Sequence, residues 1–186
     1  EEPSKPSASV KPRIDTSREW SGDLKTRPVY TPEGVNTMRT VVAKKDEHFG
    51  NPFSEAGYGN TIKVASIGAA VKMYKDWLLN NAVTESEIVE GSVSDLAKFD
   101  NQRAWILDQI NQGKLDGATL LYAGKSEARG EGMHPTALAE VVEILRGNQV
   151  PVSANVKVIS PEYGVVVAET NPSESKTQEY ITLIQP

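Results

Sequence analysis

The chain contains no cysteine and only two histidines, His48 and His134, among its 186 residues. Without thiols there is no disulfide framework and no thiolate nucleophile. Two imidazoles cannot build a histidine-rich zinc site, so no metal site is expected. No apolar run comes near the roughly 20 residues that a helix needs to cross a bilayer, and no membrane association is expected. The opening Glu1-Glu-Pro-Ser-Lys-Pro6 has no apolar signal-type core, and an initiator methionine is lacking, which leads us to expect either a segment of a longer polypeptide or an edited sequence. An excess of positive charge is missing too. The net charge of -5 and a pI near 5.2 argue against a surface built to hold nucleic-acid phosphates. What is present, 38% hydrophobic residues, suffices for one domain with a modest core.

Residues 1–25 are rich in Ser, Pro and charge and read as a linker or disordered arm, with Trp20 either docked on the domain surface or held for a partner. Two extended segments follow, Pro28–Thr31 and the β-branched Thr37–Ala43, separated by a turn at Pro32, Gly34 and Asn36. Asp46–Asn60 has neither period and reads as a long polar loop. Ser66 is placed to cap a helix whose apolar face is Ile67, Ala70, Val71, Tyr74 and Leu78, running to Asn80. The aromatic pair Tyr74 and Trp77 suits core packing or a base-stacking platform. A short helix is expected near Thr84–Val89. Another should start at Asp100 and run through Ala104, Leu107 and Ile110 to a stop at Gly113, with Trp105 and Ile106 broadening its buried face.

The chain is organised around residues 116–147, which read as strand, glycine-rich polar loop and helix. Thr119–Tyr122 is a short apolar run with the turn residue Gly117 before it, the pattern of a strand covered on both faces. Pro135 fits a first helical turn, and Leu138, Val141, Val142 and Leu145 recur at helical spacing until Gly147. A strand-to-helix junction of this kind aims backbone N–H groups and the positive end of a helix dipole at one place, which suits an anionic or polar ligand. Beyond it, Ala154–Ile159, Gly164–Ala168 and Tyr180–Ile184 carry strand signals. The reading is therefore an α/β, Rossmann-like three-layer domain over residues 26–150 with a mostly parallel central sheet, an arm over 1–25 and a β extension or appendage over 151–186.

Two blocks carry a family resemblance. His48-Phe-Gly-Asn-Pro-Phe53 followed by Ala70–Leu78, and Leu115–Tyr122 with His134 and Leu138, resemble a family of small, largely uncharacterised phage and bacterial domains with a Gly-Asn-Pro-Phe box. The resemblance spans about Thr37 to Arg146. It implies a Rossmann-like fold embedded in a multi-domain phage protein, located in the cytoplasm, which for a phage-encoded protein is the host's. Members usually carry a Cys-Trp-Cys at the strand end and a Cys-His pair before the helix. Here Tyr122, Ala123 and Met133 stand instead, so any chemistry resting on those cysteines is absent.

Gly124-Lys125-Ser126 is no Walker motif, because position 119, where that motif needs glycine, is threonine. The loop still gathers Gly124, Lys125, Ser126, Arg129, Gly130 and Gly132 before a helix start, a set able to hold phosphate or to stand in solvent. His134 could cap the helix, act as a general acid or base, or do both, and the helix end favours its uncharged form. His48 could face the same cleft, with Glu131 as a carboxylate partner. Asn51, fixed by Pro52, could read a base or ribose edge or could end the loop and anchor Phe53. Two functions follow. One is a nucleotide- or nucleotide-sugar-type ligand site between loops 48–53 and 124–134, with a hydrolytic or glycosidic option. The other is a non-catalytic module that holds a protein partner. No motif specifies a cofactor.

Overall fold

Leu120 and Leu121 are adjacent in one strand and both fully buried, because successive strand side chains face opposite ways and both faces are covered. Leu120 enters the main core, while Leu121 joins Trp20 and Leu24 in a second cluster. The expectation of a doubly covered strand holds. The computed structural model describes residues 9–17, 19–57, 59–124 and 133–147. Among these are strands β1 (Arg13–Ile14), β2 (Tyr30–Thr31), β3 (Gly34–Asn36), β4 (Phe53–Ser54), β5 (Ile62–Val64), β6 (Ile88–Glu90) and β7 (Thr119–Leu121). Three α-helices accompany them: α1 (Ile67–Asn80), α2 (Asp100–Asn111) and α3 (His134–Arg146).

The described residues make a mixed α/β fold with two small mixed sheets, not one mostly parallel sheet. The first has the order β1-β7-β3-β2: β7 is parallel to both neighbours, with Ile14 and Val35 flanking Leu120, and β2 returns antiparallel to β3. The second has the order β4-β5-β6, parallel then antiparallel, with an irregularity at Lys63 and Val64. Gly34 lets β3 approach β7 so closely: at φ +154 its position would place a Cβ 2.3 Å from the Thr119 carbonyl oxygen.

Ser66 caps α1 as expected, its Oγ accepting from the Ala69 N–H at 3.0 Å, and Asn81 in the left-handed region ends it. Its buried face is Ala70, Met73, Tyr74, Trp77 and Leu78, with Ile67 half exposed, so Tyr74 and Trp77 are core residues. α1 packs along α3 and onto β4 and β5. On α3, Leu138, Val141 and Val142 are fully buried as the spacing predicts, whereas Leu145 is exposed. Arg146 then closes the helix end onto the wholly buried Asp116 carboxylate through contacts of 2.6 and 3.0 Å. None of the described helices is long and apolar enough to cross a membrane.

Several expectations are corrected. From Ser9 on, the supposed arm is part of the domain: β1 pairs with β7, Trp20 is 5% exposed and Leu24 not at all. The strand after the first turn is Gly34–Asn36, not the β-branched Thr37–Ala43, where Val41 and Val42 point into solvent. Phe53–Ser54 forms a strand inside the expected long loop. The helix expected near 84–89 is a single 3-10 turn at Glu85–Glu87 leading into β6. On α2 the buried stripe is Gln102, Ile106, Gln109 and Ile110, so the phase differs from the Ala104 and Leu107 stripe. The expected β extension over 151–186 lies outside the described residues.

Candidate functional site

At the carboxyl end of β3 the backbone is fixed by side chains. Asn36 sends its amide N–H to the Leu24 carbonyl at 2.7 Å and accepts from the Met38 N–H. Thr37 donates to the Leu121 carbonyl twice, from its amide at 3.0 Å and its hydroxyl at 2.7 Å, which locks the ends of β3 and β7 together. The Thr37 carbonyl is thereby presented to the start of α3, where the His134 Nε2 lies 2.8 Å away. A carbonyl oxygen can only accept, so Nε2 carries the hydrogen and Nδ1 is the bare nitrogen. Tyr74 and Tyr122 hold the imidazole edge-on, with ring centroids 5.0 and 5.2 Å away. Burial pushes the His134 pKa down to about 4, against the opposing pull of the Thr37 hydrogen bond. The ring is neutral at pH 7.

The expected capping role of His134 does not occur. Met133 holds the N-cap position without a side-chain cap bond, and His134 is already helical. Pro135, lacking an N–H, fits beside it.

The loop carrying His48 is fastened from two helices. Tyr74 of α1 donates its hydroxyl to the Phe49 carbonyl at 2.7 Å, and burial pushes its phenol well above the ordinary range, so it remains a donor. Gln102 of α2 donates to the Gly50 carbonyl at 2.7 Å. His48 accepts at Nδ1 from the Gly50 N–H at 3.1 Å, which makes its Nε2 the protonated nitrogen. Its pKa also falls to about 4, first through burial, then through the Arg39 charge and His134, with Asp46 opposing. Tyr74 links the two places, with its ring against His134 and its hydroxyl on the carbonyl of Phe49, the residue after His48. The Gly50 position abuts the Cβ of Arg39, an exposed residue that has no ion-pair partner among the described residues.

Asn51 is not directed at a ligand. Its amide donates to the Ala70 carbonyl at 3.1 Å and accepts from the Phe53 N–H at 2.9 Å, which ends the loop and seats Phe53 in the core. Gly124 donates to the Trp20 carbonyl at 2.9 Å. Lys125, Ser126, Arg129, Gly130, Glu131 and Gly132 lie outside the described residues. The sequence marked Tyr74 as an aromatic of the helix face but not as the donor that fastens the loop, and it pointed to no role for Thr37, Arg39 or Gln102, the last leaving a trace as a polar residue four positions before Ile106.

An open polar hollow of about 400 Å³ is lined by Glu19, Trp20, Ser21, Asp23, Arg27 and Glu33. Arg27 bonds Glu33 at 2.6 Å and lies 5.5 Å from the Trp20 ring, so three carboxylates face one engaged guanidinium, a poor setting for phosphate. Among the described residues no group of three or more His, Asp or Glu side chains could hold a metal ion. No family model, curated protein or solved structure matches the chain.

Proposed function

We propose that the domain binds a nucleotide- or nucleotide-sugar-type ligand where the carboxyl ends of β3 and β7 meet the start of α3, as part of a phage-type protein. The observation that carries the proposal is His134: a neutral ring, fixed by Thr37, whose Nδ1 no described residue engages. Among the described residues the one sealed, unpartnered side-chain nitrogen is Trp77 Nε1, so His134 Nδ1, on a ring 7% exposed, keeps open surface where an incoming N–H can bond it. The setting supports the same reading, because α/β folds bind ligands beyond the carboxyl ends of parallel strands, and β1, β7 and β3 run parallel. On this reading the fold is a small Rossmann-like variant. Arg39 supplies a positive charge, joined by Lys125 and Arg129, with backbone N–H groups from Ser126, Gly130 and Gly132, the Gly124 N–H being already given to the Trp20 carbonyl.

The two imidazoles act here as hydrogen-bonding groups. A general base works best with a pKa near the working pH, and both rings sit near 4. Any hydrolytic step then falls to Glu131.

The test is a thermal-shift screen of nucleotides, ADP-ribose and nucleotide sugars on the wild type, on Arg39→Ala and on the double change Lys125→Ala with Arg129→Ala. At least one compound should stabilise the wild type, with affinity falling about tenfold or more in each variant. No shift at millimolar concentration, or equal response in all three proteins, refutes the ligand site. The interaction-module reading then takes over, drawing on the adjacent Val41 and Val42, 78% and 54% exposed.

A further inference from the structure

We infer that His48 is an acid-sensitive latch: a proton taken up at its Nδ1 releases the loop over residues 46–51 from α1 and α2 while the rest of the domain stays folded. The inference is independent of the ligand site proposed above. It stands on the hydrogen bonds that fasten this loop around a ring only 4% exposed.

The Gly50 N–H donates to the bare Nδ1 of His48 at 3.1 Å, and the Gln102 amide nitrogen, also a donor, lies 3.4 Å from the same atom. Nδ1 is the one ring position at which neutral His48 can take up a proton. Once protonated it is a third donor facing two others, so the Gly50 bond is lost. The same Gln102 nitrogen holds the Gly50 and His48 carbonyls at 2.7 and 3.3 Å, so the new charge presses on the group that ties the loop to α2. His134 answers acid differently. Its engaged atom is Nε2, which keeps its hydrogen on the Thr37 carbonyl whether or not Nδ1 is protonated, and that bond favours the charged ring. Of the charged groups around His48, Arg39 and His134 oppose its cation and Asp46 favours it. Strand β2 and helices α1 and α2 meet the loop through Tyr30, Tyr74, Gln102 and Trp105, none of them charged in acid. The loop seats Phe49, wholly buried against Tyr30 and Trp105 with ring centroids 6.4 and 4.9 Å away, so its release uncovers an aromatic ring that is hidden at pH 7.

Amide hydrogen exchange of the intact chain at pH 7, 6 and 5, corrected for the intrinsic chemical rate, tests the latch. In the wild type, opening of the 46–51 loop should rise about tenfold or more from pH 7 to pH 5. At every pH the loop should open more readily than the buried faces of α1 and α3, which mark global unfolding. His134→Gln should keep the rise. His48→Gln, whose side-chain carbonyl can accept the Gly50 N–H but takes up no proton in this range, should reduce it to less than about twofold. Wild-type ¹⁵N spectra give a readout that needs no variant: His48 neutral and protonated at Nε2 at pH 7, with the Gly50 amide resonance moving as the His48 ring charges. A Gly50 resonance that stays put while the ring charges, or a His48 protonated at Nδ1 at pH 7, overturns the inference. So does a rise in loop opening that survives in His48→Gln, that vanishes in His134→Gln, or that never separates from α1 and α3.

Discussion

Lowering the pH from 7 to 5 should destabilise this protein through two specific side chains. His48 and His134 each titrate near 6.5 in an unfolded chain but near 4 in the fold. Depressed folded values mean that the neutral forms are favoured by folding. Their contribution is fully present above pH 6.5 and is lost as the pH falls toward 4, because the unfolded state takes up protons first. Over the interval from pH 7 to 5 the loss works out at about 2 kcal/mol for each ring. The rings are coupled, since the His134 charge is among the causes that lower the His48 value, so the two contributions together amount to at most roughly 4 kcal/mol, still a large part of an ordinary domain's stability. Urea unfolding at pH 7, 6 and 5 measures it. His48→Gln and His134→Gln should each halve the slope of unfolding free energy against pH, whatever they do to its absolute value. A flat profile in the wild type, or an unchanged slope in the double variant, would refute the reasoning.

Leu138→Ala, at a fully buried site on α3, should cost about 2–5 kcal/mol by denaturant titration, and a loss under about 0.5 kcal/mol would contradict the helical phase. Gly34→Ala drives a Cβ into the Thr119 carbonyl and should cost more than about 1 kcal/mol, read as a fall in melting temperature. Tyr74→Phe leaves the Phe49 carbonyl without its donor, at about 1–3 kcal/mol. It should speed hydrogen exchange in loop 46–51 more than in α3, and uniform exchange would show that the phenol does not hold the loop.

Where one physical signal dominated, the sequence was legible. The Ser66 cap, the apolar run at Thr119–Leu121 and the Leu138, Val141, Val142 stripe each state a local preference that the core also satisfies. Residues 9–25 misled because their average composition is polar, while the apolar Val10, Trp20 and Leu24, spread through it, become buried. Thr37–Ala43 misled in the opposite sense. β-propensity describes fit to a half-buried sheet surface, and β3 just before it already has β7 and β2 on its two sides. On α2 the stripe contains Gln102, which apolar counting skips and which is satisfied by loop carbonyls. For the site, His48 and His134 were visible as residue types. Their hydrogen-bonding senses were not, since those depend on Thr37 and Gly50, the first distant in sequence and the second visible only once the loop is folded.

The position of β7 between β1 and β3 also sets the order in which the chain can fold as it is made. Arg13 and Thr119 are 106 positions apart, yet Arg13 reaches the Thr119 hydroxyl at 2.9 Å across the first sheet. During synthesis β1 and β3 therefore leave the ribosome with no strand between them, and Leu24 and Trp20 have no Leu121 to cover them. Long-range parallel pairing closes slowly and leaves strand edges open while it waits. Only when Leu121 emerges can the middle strand slot in, so the nascent chain passes through an interval in which its amino-terminal apolar residues are open to chaperones.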